Sequence, residues 1–169
     1  MAKMNLTHEI NHEQGNRHAL WLKECAEFEE LQKIKSADAL ECFMICFNLR
    51  KWNTLQFCDK TGLSQTIFSK IKNRAYKEGK FPSLQSIVAI CVGLQIPLDY
   101  SVELINHCGY ALTSTKRDRC YKYILTHYDS FDIDKANEFL MKENFEPISD
   151  KDIYKKNFAS RKIELQKSA

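Results

Sequence analysis

The chain has 169 residues, a formal net charge of +3, and only five glycines and three prolines. That length holds one domain with a real core, or a small domain plus an extension, and such sparse turn punctuation favours an all-α fold over a many-turned β fold. No run approaches the ~20 apolar residues of a membrane span. Residues 1–20 carry polar and acidic side chains throughout, unlike a signal peptide. The seven cysteines include no C-x-x-C pair, which argues against a disulfide or zinc framework. Cys42, Cys46, Cys58 and Cys91 fall on apolar helix faces and read as small buried hydrophobes in a reducing cytoplasm.

The first segment contains a literal H-E-x-x-H at His8, Glu9 and His12. On a helix, two histidines four residues apart share one face and can hold zinc, with the glutamate as general base. A catalytic site also needs a third ligand, for which Glu24, Glu27 or His18 are candidates, and a cleft, for which the seven residues ahead of His8 supply little chain. The expectation is no catalytic metal and no cofactor; a zinc-dependent peptidase, or its remnant, is an alternative. From Ala19 to Lys35, the residues Leu20, Trp21, Leu22, Ala26, Phe28, Leu31 and Ile34 predict a helix with an acidic outer face. Residues 1–36 thus form an N-terminal helical arm.

Ala37 to Lys51 predicts a strongly apolar helix (Leu40, Phe43, Met44, Phe47, Leu49), with Asp38 near its start. Trp52 to Arg74 then reads as two short helices and a tight turn. Leu55, Phe57 and Cys58 supply the apolar stripe of the first, Gly62 makes the turn, and Ser64 is placed to cap the second. Ile67, Phe68 and Ile71 form one buried face of that second helix. Its other face shows Gln65, Thr66, Ser69, Lys70 and Asn73. R-A-Y-K-E-G-K-F-P follows as a basic loop with Pro82 at the start of a helix. Further helices are expected at Ser83–Leu94, Tyr100–His107, Arg117–Tyr128 and Asp134–Asn144, the last two forming a C-terminal extension over residues 110–148. A basic tail occupies 149–169.

The stretch around Gly62 resembles the helix-turn-helix of the lambda-repressor-like (XRE) DNA-binding regulators. Cys58 matches the family's small residue in the first helix, Gly62 the turn glycine, Leu63 the apolar turn residue, Ser64 the cap and Phe68 the buried position. F-P-S-L-Q-S-I-V-A-I-C-V-G-L-Q-I-P-L-D-Y resembles the next helix and the start of the one after, so the likeness spans roughly Leu40 to Asn106. Thr54 stands where a glutamine is usual, and Lys72 where an acidic residue is common. The resemblance implies a five-helix domain over residues 37–109 that binds double-stranded DNA, usually as a homodimer.

Charge points the same way. Residues 47–80 carry Arg50, Lys51, Lys60, Lys70, Lys72, Arg74, Lys77 and Lys80 against Asp59 and Glu78, a local surplus of +6, whereas residues 1–46 are net −3. Such asymmetry suits an anionic partner. Gln can pair bidentately with adenine, Lys suits guanine, and a Thr methyl can meet a thymine methyl. Gln65, Thr66, Ser69 and Lys70 are therefore expected to face base edges, and Thr54, Asn73, Arg74, Lys77 and Lys80 to face phosphates, which fix register without reading sequence. The expected function is a sequence-specific transcriptional regulator. An antitoxin or adaptor, binding DNA and a protein partner through the extension, is the second alternative. Tyr121, Tyr123, Tyr128 and Phe131 read as core or dimer surface rather than a base-stacking platform, and His107 and His127 as helix-end caps.

Overall fold

The computed structural model describes residues 19–76 and 80–149, and every regular element among them is helical. Residues 19–32 form α1, which runs into a short 3-10 turn at Lys33–Ser36. There follow α2 (Ala39–Leu49), α3 (Thr54–Thr61), α4 (Gln65–Lys72), α5 (Leu84–Leu94), α6 (Leu98–His107), α7 (Lys116–Thr126) and α8 (Ile133–Lys142). No helix among the described residues is long and apolar enough to cross a membrane.

Local chemistry sets the helix starts. Asp38 caps α2 by accepting from the Glu41 N–H at 2.8 Å. Ser83 caps α5 through the Ser86 N–H, so Pro82 lies just ahead of the cap rather than within the helix. Thr115 and Asp132 cap α7 and α8 through the N–H groups of Asp118 and Lys135. Each such bond satisfies a helix N–H that has no partner within the helix.

Four helix ends share another device. At α2, α4, α6 and α8 the residue after the cap adopts a left-handed conformation: Lys51, Arg74, Gly109 and Asn144, with φ of 52°, 51°, 79° and 63°. In each case the next N–H bonds back five residues, as Trp52 does to Phe47 and Ala75 to Lys70. Only one of the four is glycine, the residue that adopts this geometry without strain.

A continuous apolar core runs from Leu31 and Ile34 through α2 to α8 and on to Ile148. It is built around α5, in which Ile87 through Val92 and Leu94 are all buried. α5 can approach α3 closely because of Gly93: a Cβ there would lie 2.9 Å from the Lys60 carbonyl oxygen. Cys42, Cys46, Cys91 and Cys108 sit inside this core. Burial pushes the Cys42, Cys46 and Cys108 thiols up to about 12, and the Cys91 thiol higher still. They are protonated packing groups. Cys58 and Cys25 are half-buried.

The arm departs from its predicted pattern. Leu31 and Ile34 are buried as expected, but Leu20, Trp21, Leu22 and Phe28 are each at least half exposed. α1 is fixed at its C-terminal end instead. There Gln32 donates to the Tyr100 hydroxyl at 2.7 Å, and Phe28 meets the Tyr100 ring edge-on.

Candidate nucleic-acid interface

The turn between α3 and α4 begins with a capping box. Asn53 accepts from the Gln56 N–H at 2.9 Å, and the Gln56 side chain accepts from the Asn53 N–H at 3.0 Å. Its signal in the sequence is the N-x-x-Q spacing of Asn53 and Gln56. At the far end Gly62 takes φ 65° and ψ 15°, the left-handed geometry expected of it. Buried Thr61 locks the turn, its hydroxyl donating to the Phe57 carbonyl at 2.7 Å and accepting from the Leu63 N–H at 3.1 Å. Ser64 occupies the cap position of α4 with extended backbone, but its hydroxyl makes no capping bond.

The two helices are held from behind by aromatic rings. Phe57 and Phe68 have centroids 5.0 Å apart, and Phe47 lies 5.7 and 5.3 Å from them. Trp52 closes the cluster against Phe47 and Phe57. Phe57, Phe68 and Ile71 are buried and Ile67 is half-buried. Leu55 is not part of the inner stripe: it is 78% exposed. α3 is only two turns long, and Phe57 and Thr61, four residues apart, take its buried side, so Leu55 faces away.

With its back fixed, α4 presents Gln65, Thr66, Ser69 and Lys70 to solvent, all exposed, and no acidic residue occurs from Gln65 to Arg74. Thr54, Asn73, Arg74 and Lys80 are exposed as well. Thr54 and Asn73 come together with Ser69 around one open concavity of about 320 Å³, whose other lining residues are Asn53, Phe68 and Lys72. Ser69 therefore stands beside the residues expected to face phosphates. Lys77 lies outside the described residues, and so do His8, Glu9, His12 and His18. Of the other candidate zinc ligands, Glu27 is paired with Arg50 at 2.7 Å. Among the described residues no group of three His, Cys, Asp or Glu side chains is placed to hold a metal.

Arg50 is also withdrawn from the basic surplus. Besides Glu27 it donates to the carbonyls of Leu94 at 2.8 Å and Gln95 at 3.2 Å. It thereby caps the end of α5 and ties α1 to the segment that leads into α3. This role depends on a contact 44 residues away in sequence, which no local pattern announces.

The remaining aromatics divide. Tyr121 is core, whereas Tyr123 is 49% exposed and stacks on Phe139 at 5.1 Å, with Phe131 edge-on at 6.1 Å. His107 bonds the Ile34 carbonyl at 3.0 Å, joining α6 to the 3-10 turn, and His127 bonds the Tyr123 carbonyl at 2.8 Å at the end of α7.

No family model, no curated protein and no solved structure matches this chain.

Proposed function

We propose that the chain is a sequence-specific double-stranded DNA-binding protein of lambda-repressor-like build. In this reading α2–α6 form the five-helix domain, α4 enters the major groove, and the protein regulates transcription as a homodimer. The observation that carries it is the exposed, carboxylate-free front of α4, backed by a rigid ring cluster. A groove-reading helix needs such backing, because base-edge hydrogen bonds discriminate only when the donors are held in register. Gln65, Thr66 and Lys70 would meet base edges, with Ser69 at the boundary. Thr54, Asn73, Arg74, Lys77 and Lys80 would meet phosphates on either side. Dimers of such modules bind half-sites about one helical turn apart. Selection of bound duplexes from a random pool tests the proposal: enrichment of a two-fold related site supports it, and recovery of the input distribution refutes it.

A second reading draws on the Tyr123, Phe131 and Phe139 rings at the surface of the extension. They favour an adaptor or antitoxin whose α7–α8 pair docks a protein while α4 holds DNA. A polypeptide that co-purifies with the wild-type chain and is lost in Tyr123→Ala would support it.

A further inference from the structure

We infer that Lys72 is a phosphate-clamping residue, held in place by the ring of Phe68 and acting with Ser69, Asn73, Asn53 and Thr54 on a single phosphodiester of duplex DNA. The inference rests on the DNA-binding reading above and adds a residue to it, at a position where the resembled family commonly carries an acid.

The concavity lies between the start of α3 and the side of α4. Its lining residues come from two places: Asn53 and Thr54 where α3 begins, and Phe68, Ser69, Lys72 and Asn73 along α4. Five of the six are polar, one is a cation and none is acidic. At about 320 Å³ and open to solvent, it admits a phosphate group together with part of the adjoining sugar. The floor is Phe68, only 3% exposed and wedged between Phe57 and Phe47.

That wedged ring fixes the cation. The Lys72 ammonium lies 5.5 Å from the Phe68 ring centroid, one helical turn along α4. A lysine on an exposed helix face ordinarily samples many rotamers, and holding its head against a fixed aromatic face removes part of that freedom before any ligand arrives. No carboxylate among the described residues lies within ion-pair distance of it. Lysine serves phosphate as a compact point charge, while the serine hydroxyl and the two amide side chains beside it offer shorter-range hydrogen bonds. An acidic side chain at position 72 would bring a negative charge into the same concavity and repel the phosphate, so the substitution that departs from the resembled pattern converts this place into a contact.

The test uses the full chain with Lys72→Gln, Lys72→Arg and, as a control on the extension, Lys122→Gln. Binding to a selected duplex and to a random duplex of equal length is measured by fluorescence anisotropy over a range of potassium chloride concentrations. Loss of one phosphate contact should lower the slope of log K against log salt by about 0.9. Lys72→Gln is expected to show that drop and to weaken both duplexes by the same factor. Lys72→Arg should keep the wild-type slope, and so should Lys122→Gln. Thermal melting of each variant confirms that the fold is intact. Wild-type binding with an unchanged slope in Lys72→Gln overturns this inference and leaves the DNA-binding reading standing. Failure of the wild-type chain to bind either duplex at low salt overturns both.

Discussion

The α3–α4 pair and the α7–α8 pair are both short, amphipathic helical hairpins, the first held by α5 and α2 and the second by α5, yet their outer faces differ. α7 and α8 expose Lys116, Arg117, Arg119 and Lys122 together with Asp134, Lys135 and Glu138, and Lys116 pairs with Glu143 at 3.3 Å. Both signs intersperse there, as on an ordinary solvated surface. α4 exposes amides, hydroxyls and lysines with no carboxylate. A face made only for solubility gains from mixing charges, because neighbouring opposite charges offset one another. One that excludes carboxylates leaves its donors and cations open to an anionic partner. On the function proposed above, the first hairpin would meet DNA and the second would serve support or protein contact.

The largest effect should come from removing the backing of α4. Phe68→Ala is expected to cost about 3–5 kcal/mol of stability, as for other deeply buried rings, and to abolish duplex binding. Phe139→Ala, on half-buried α8, should cost less and leave duplex binding in place. Chemical denaturation paired with a binding assay separates the two. If Phe139→Ala proved as damaging to DNA binding as Phe68→Ala, the division between the hairpins would fail.

Next in size is the cap of α7. Asp118 is buried, which alone would raise its pKa, but the Thr113 hydroxyl and N–H, the Thr115 hydroxyl and the charge of Arg117 together hold it below its ordinary value of 3.8. A carboxyl depressed in the folded state contributes stability that is fully present above its unfolded pKa and is lost as pH falls through the folded value. Asp118→Asn should therefore cost about 1–3 kcal/mol near pH 7, and the gap from wild type should narrow below about pH 4. A gap that stayed constant down to pH 2 would show that the charge is irrelevant to the cap.

The smallest effects test the left-handed residues. Lys51→Gly and Arg74→Gly should each stabilise the fold by roughly 0.5–1 kcal/mol, because relief of the left-handed strain exceeds the added chain entropy. They should differ in binding. Arg74 follows α4 and is expected to touch phosphate, so Arg74→Gly should weaken all duplexes, whereas Lys51→Gly should weaken them little. Equal melting gains with equal affinities would remove Arg74 from the interface.

Much of this was legible in the sequence where local chemistry decides the outcome. Gly62 announced the turn, Asp38 announced a helix start, and the order of helices from Ala37 to Asn144 follows apolar spacing, with ends displaced by at most two residues. What was not legible depends on distant neighbours. Leu55 looked like core because it is apolar, but Phe57 and Thr61 take the buried side of α3 and Leu55 lies on the opposite one. Arg50 looked like surface charge, yet it caps α5. Nothing local to Gly93 announces that a Cβ there would meet the Lys60 carbonyl. The left-handed Lys51 and Arg74 carry no glycine signal at all. At the site itself, composition revealed the polar front of α4, but only the approach of α3 to α4 gathers Asn53, Thr54, Ser69, Lys72 and Asn73 into one concavity.

If α4 reads bases, Gln65 is the side chain whose loss shows it. Dissociation constants of the wild-type chain and of Gln65→Ala should be measured at one fixed salt concentration on the selected duplex and on a random one. The account predicts a loss of about 1–3 kcal/mol on the selected duplex and almost none on the random duplex. An equal loss on both, or no loss on either, would contradict it.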